Sequence, residues 1–194
     1  MKRVNLGVKP LLIPQPVVVI ASYDEEYKAD AMTAAWVGVL EEDELIISLS
    51  ADHKSTKNIL NRKALTLSIG TKEYVKECDF VGIFSQNIIS DKLDKAGLTT
   101  TKSEFVDAPI INELPLCLEC VLDRVIENSY YVAKIVNVSC KEEILDKKTN
   151  IDLKKLEPLI FDISNAKYHI VGDEVGKAFN DGTLLVEEKL KKEG

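Results

Sequence analysis

The residues best suited to chemistry lie in one stretch, Lys28 to Thr56. Its first part, Lys28-Ala29-Asp30-Ala31-Met32-Thr33-Ala34-Ala35-Trp36, is rich in small residues and ends on the single tryptophan. Small side chains let a flat ligand lie close to backbone N–H groups. Next come the strand-like Leu45-Ile46-Ile47-Ser48-Leu49-Ser50 and then Asp52-His53-Lys54-Ser55-Thr56. A basic, hydroxyl-rich turn that opens a helix suits a phosphate, because the free N–H groups and the helix dipole both favour an anion. Together these features point to a phosphorylated planar cofactor, with flavin mononucleotide (FMN) the leading candidate. In that reading His53, Lys54, Ser55 and Thr56 take the phosphate, and the alternative is a capped surface helix. The Met32–Ala35 backbone would donate to the N5 and O4 edge of the ring, where donors stabilise the charge that develops on reduction. The alternative there is a plain barrel strand with small side chains for tight packing. Trp36 either flanks the ring or fills the core or a subunit seam.

The elements that must hold these residues are mostly strands. Val17-Val18-Val19-Ile20-Ala21 is a β-branched run that reads as a buried strand. Met32 to Val39 and Leu45 to Leu49 read as an antiparallel pair across the acidic Glu41-Glu42-Asp43-Glu44 turn. Ser55 to Arg62 reads as a short helix with Asp52 or Ser55 as its N-cap. Ala64 to Ile69 reads as a strand, Glu73 to Phe84 as a helix, and Asp91 to Ala96 as a short helix stopped by Gly97. Residues 99–115 read as loop, and Leu116–Glu127 and Tyr130–Val138 as a long hairpin turning at Asn128-Ser129. Tyr168-His169 reads as part of a structural tail, with a strand beside the site as the alternative. The charged segment 183–194 reads as a terminal helix or a frayed tail. Many strands with a few short helices imply a mainly β barrel carrying short helical excursions, not a parallel α/β sheet.

Composition narrows the class. With 194 residues, 45 % hydrophobic and 29 % charged, the chain suits one domain, 1–194. Its net charge of −7, with no strongly basic arm, argues against a nucleic-acid partner. No run approaches the roughly 18 apolar residues of a membrane span, and no signal peptide is visible, so a soluble cytoplasmic protein is expected. No GxGxxG, GxxxxGK[ST] or GxSxG motif is present. The two histidines, His53 and His169, cannot alone build a histidine-rich metal site, and no metal is expected. Cys117-Leu118-Glu119-Cys120 has CxxC spacing, but it falls in a strand, where residues three apart face opposite sides. No catalytic side chain can be named, which leaves the chemistry to a bound cofactor.

In order along the chain, Pro16-Val17-Val18-Val19, Asp30-Ala31-Met32-Thr33-Ala34-Ala35-Trp36, Ser48-Leu49-Ser50 and His53-Lys54-Ser55-Thr56 resemble the flavin reductase-like proteins of the flavoredoxin type. Ser90-Asp91-Lys92-Leu93-Asp94-Lys95-Ala96-Gly97-Leu98-Thr99, then Ala108-Pro109-Ile110-Ile111 and Leu118-Glu119-Cys120, extend the resemblance, which covers about residues 10 to 140. It implies an FMN-binding split β-barrel, usually a homodimer. It also implies cofactor contacts from Asp30 to Trp36, Ser48 to Ser50, His53 to Thr56, and Ser85. Electrons would pass from NAD(P)H through flavin to an acceptor, or between redox partner proteins. Three departures stand out. The family commonly has Asn at Asp30 and Ser-Gly-Arg at Ser85-Gln86-Asn87. In the last hairpin it commonly has Asp-His and Gly-Glu pairs, where Asn128-Ser129 and Ala133-Lys134 stand here. The third removes a histidine that the resemblance places on the nicotinamide side, so flavin binding follows more directly than reductase activity. The rival readings are a flavin electron carrier without its own reductase activity and a cofactor-free interaction barrel.

Overall fold

A computed structural model describes residues 1–183 and 185, so most of the charged terminal segment 183–194 lies outside the described residues. Among the described residues, twelve strands and four α-helices follow in chain order. They are β1 (Gln15–Pro16), β2 (Val18–Tyr23), β3 (Ala29–Ala34), β4 (Val37–Glu41), β5 (Glu44–Ser48), α1 (Lys54–Arg62), β6 (Ala64–Ile69), α2 (Val75–Ile83) and α3 (Lys92–Ala96). Then come β7 (Thr100–Lys102), β8 (Pro109–Ile111), β9 (Leu116–Ile126), β10 (Tyr130–Cys140), α4 (Leu153–Leu156), β11 (Leu159–Asp162) and β12 (Lys167–Ile170). Seven strands form one antiparallel sheet in the order β3-β2-β6-β9-β10-β5-β4. A smaller sheet runs β1-β11-β12, and β7 pairs with β8.

Strand β2 explains why the barrel has helical excursions. All six of its residues are buried. Alternate side chains of a strand face opposite ways, and here both faces are covered. Val18 and Ile20 point into the barrel with Leu45, Ile47, Leu65, Leu67 and Cys120. Val17, Val19 and Ala21 point to an outer layer with Cys78 and Val81 of α2 and Leu93 of α3. Three strands lie between β2 and β5 in the sheet, yet their side chains share one cluster. Only a curled sheet brings them together, and the fold is a mainly β split barrel, as expected from the sequence.

The split has a definite place. β3 and β4 are consecutive in the chain but occupy opposite edges of the seven-stranded sheet. Ala35 and Trp36 alone carry the chain from one edge to the other. The expected single strand Met32–Val39 is therefore two strands, and only Val37–Glu41 pairs with β5. The backbone stays extended through such a switch, so the residue pattern carries no sign of it. Two smaller expectations are also corrected. Residues 99–115 contain the β7–β8 ribbon, whose three-residue strands are too short to show a period. Helix α1 takes His53 as its N-cap without a side-chain cap bond, because Ser55 turns its hydroxyl to Asp30 instead. Helices α2 and α3, the long β9–β10 hairpin and the left-handed Gly97 (φ 70°) that ends α3 stand as expected, and α4 is an addition to the sequence reading.

Candidate functional site

A small cleft of about 130 Å³ gathers Asp30 and Met32 of β3, His53, Lys54 and Ser55 at the start of α1, and Ser85. All six had been singled out from the sequence. The remaining walls are Val81 to Phe84 at the end of α2, Gln86, and Lys92 of α3. No side chain caps α1, so its opening N–H groups are left for another acceptor. Lys54 lies at the rim, one-third exposed, 3.5 Å from the Asp24 carboxylate. Lys92 and Asp30 are a buried ion pair, 2.9 Å apart with 2 % and 1 % exposure. The ammonium is the partner of Asp30 Oδ1. Asp30 Oδ2 accepts the Ser55 hydroxyl proton at 2.6 Å. Gln86 is buried and donates through Nε2 to the Ala29 carbonyl at 2.8 Å. That bond fixes the amide and leaves Gln86 Oε1 buried with no donor. The cleft thus offers cations and N–H groups at one end and one under-used acceptor, Gln86 Oε1, along its wall.

Thr33, Ala34 and Ala35 line a second cleft of about 270 Å³ with Asp79, Phe161 and Tyr168. Gly82 and Ile83 are walls of both clefts. A Cβ on Gly82 would stand 3.0 Å from Thr33 Cβ, so the bare glycine is what lets α2 lie against β3. The Thr33 hydroxyl donates to the Cys78 carbonyl and fixes the same contact. Tyr168 donates to Asp79 at 2.8 Å; burial and that carboxylate push its phenol up to about 12. Tyr168 therefore belongs to a strand beside this cleft rather than to a detached tail. Trp36 and Ser48 line a third, larger groove of about 820 Å³ with Pro10, Leu12, Ile46 and Tyr130. Trp36 is 55 % exposed, so it does not fill the core.

Residues 11–167 match the family model described as flavin reductase like domain. The chain belongs to this family. Among solved structures it is similar to the flavoredoxin of Desulfovibrio vulgaris (Miyazaki F). The two are 33 % identical with a TM-score of 0.90, covering 94 % of this chain and 100 % of that one. The flavoredoxin from Methanosarcina acetivorans has 24 % identity and a TM-score of 0.85, over 95 % of this chain and 100 % of that one. An FMN-binding protein from Thermus thermophilus shares the fold at 17 % identity and a TM-score of 0.72, over 91 % and 100 %.

Against this flavin reductase-like frame, the other sequence candidates fall outside the clefts. Ala31 and Leu49 pack in the two cores. Thr56 is buried and donates its hydroxyl to the Ser50 carbonyl at 2.8 Å, while Ser50 itself is exposed. Thr56 thus ties the turn to the helix. Sequence reasoning quoted Lys92 and Gln86 only within the resemblance, without a site role, and did not single out Gly82. A lysine in a five-residue helix reads as solvated surface, and nothing local shows that α3 lays it under β3. Cys117 and Cys120 both lie in β9, and burial pushes their thiols up to about 11 and about 12. No helix among the described residues is long and apolar enough to cross a membrane.

Proposed function

We propose that this chain, read as one domain over 1–194, binds FMN and serves as a flavin reductase-like oxidoreductase. The observation that carries the reading is the convergence in one cleft of an uncapped helix start, two lysines and a buried amide oxygen, Gln86 Oε1, without a donor. This set fits a polyol phosphate. The N–H groups opening α1, with Lys54 and His53, would hold the phosphate. Gln86 Oε1 would accept a ribityl hydroxyl proton. Met32, Ala35, Trp36 and Ser48 would flank the ring where the chain crosses the split. β3 is an edge strand, so one row of its backbone groups faces away from the sheet and is free to serve the ring. Bound FMN would supply two-electron chemistry; the protein supplies position, N–H donors and exclusion of water. Family membership and the flavoredoxin likeness support the same cofactor.

The electron source is read as NAD(P)H, with a redox partner protein as the second reading. The second is favoured by the β9–β10 turn, where Glu127, Asn128 and Ser129 offer no histidine. The assembly is read as a homodimer. Trp36, Val39, Leu40, Tyr130, Val136 and Val138 are exposed on or beside β4 and β10, and an apolar surface of that kind is covered by association. Purified protein titrated with FMN should show a perturbed flavin spectrum, and anaerobic NADH or NADPH should bleach it. Bleaching by neither nucleotide, with FMN bound, selects the carrier. Failure to perturb the spectrum overturns flavin binding.

A further inference from the structure

The cleft holds two groups suited to an anion, Lys92 and Ser55, and one carboxylate occupies both. Lys92 Nζ lies 2.9 Å from Asp30 Oδ1, and Ser55 donates its hydroxyl proton to Asp30 Oδ2. All three side chains are buried. A buried ammonium is held strongly by the anion beside it, since little water screens the pair. The Ser55 proton is likewise committed, so its oxygen faces the cleft as an acceptor. The carboxylate therefore stands where a ligand's phosphate would find its best partners, and its negative charge opposes that phosphate directly. From this we infer that Asp30 is the residue that sets selectivity between phosphorylated and unphosphorylated flavin. It lowers the contribution of the phosphate, so the preference for FMN over riboflavin is smaller than a neutral side chain at this position would give. The inference rests on the flavin-binding reading above.

Asparagine at this position is isosteric. It keeps an oxygen acceptor for the Ser55 proton, and it removes only the charge. In Asp30→Asn, Lys92 is left buried with no anion, and a phosphate becomes its counter-ion. FMN and riboflavin dissociation constants, measured by fluorescence quenching on wild type and variant, form the test. FMN should bind at least about tenfold tighter to Asp30→Asn, and riboflavin should change by less than about threefold. A second variant covers the case in which Asp30→Asn does not fold. Lys92→Gln leaves the Asp30 carboxylate uncompensated, so FMN should weaken at least about tenfold more than riboflavin. Where both fold, the double variant should return the FMN-to-riboflavin ratio to near wild type. Equal changes for the two flavins, or weaker FMN binding to Asp30→Asn, overturn the selectivity role while leaving flavin binding intact. Binding of neither flavin to wild type overturns both.

Discussion

The cleft at the start of α1 and the groove beside Trp36 are both served by the chain from Asp30 to Trp36, yet they are built on opposite terms. In the cleft, charges are tied inside the protein: Lys92 to Asp30, and Lys54 to Asp24. In the groove, the walls are Pro10, Leu12, Ile46 and a half-exposed Trp36. A buried charge is tolerated only with a partner, so the cleft carries its own counter-ions into the unliganded state. Apolar surface needs no partner and gains from any cover, including a second subunit. The cleft can therefore distinguish ligands by charge, whereas the groove distinguishes them by shape and area. Comparing FMN with riboflavin separates the two, because only the phosphate differs.

The largest expected effect removes the comparison altogether. Gly82 is a wall of the α1 cleft and of the Thr33–Ala35 cleft, and its missing Cβ sets the distance between α2 and β3. Gly82→Val should force the two apart. Overpacking costs of about 1–3 kcal/mol place the loss of affinity near 100-fold at the upper end. FMN and riboflavin should lose affinity together, and the melting temperature should fall. A selective loss of FMN would mean that Gly82 serves the phosphate end alone.

Next comes Lys54→Ala, which acts on one end. A charge-assisted hydrogen bond is worth roughly 1.5–3 kcal/mol, so FMN should weaken about 10- to 100-fold. Riboflavin should barely respond. Equal losses would move Lys54 from the phosphate to the fold. Trp36→Ala acts on the other end, and both flavins should weaken by about the same factor, roughly tenfold. The same variant should raise the dimer dissociation constant by roughly tenfold or more in light scattering, if Trp36 is buried at the seam. A wild-type protein that is monomeric with FMN bound would remove the seam from the account.

Legibility from sequence tracked how local each cause is. The β-branched run in β2, the glycine that stops α3 and the β9–β10 hairpin are local, and they stand as read. The helix-opening residues His53 to Ser55 were also legible, because an N-terminus with charge and hydroxyls is a local signal. The switch at Ala35–Trp36 was not, since its cause lies in which distant strands pair. The same holds for Lys92 and Gln86. Their roles arise from α3 and the end of α2 folding back under β3, a contact with no local signature. Even Ser55 and Thr56, at the start of the helix, are committed to Asp30 and to the Ser50 carbonyl, partners up to 25 residues away. Composition shows which groups exist, and only the fold shows which of them are already taken.

The smallest predicted effect is the most exacting, because it tests burial itself. Asp24 holds Lys54 at the rim much as Asp30 holds Lys92 inside. Its carboxylate accepts the N–H groups of Glu26 at 3.0 Å and Lys28 at 2.9 Å, with Lys54 3.5 Å away. Burial works to raise its pKa, but those N–H groups and Lys54 outweigh it and hold the carboxyl below its usual 3.8. A depressed carboxyl stabilises the folded state above its unfolded pKa, and that contribution is lost as pH falls through the lower folded value. Asp24 is therefore ionised throughout pH 5 to 8, and any effect on Lys54 should be flat across that range. Asp24→Asn frees Lys54, but water already screens this one-third-exposed lysine. Exposed pairs are worth about 0.2–1 kcal/mol, so FMN should tighten only about two- to threefold, with riboflavin unchanged. The contrast with the tenfold or larger gain expected from Asp30→Asn is the measure of what burial adds. Equal gains from the two variants would mean that both lysines meet the phosphate in comparable solvent, and the distinction between a buried wall and an open rim would fail.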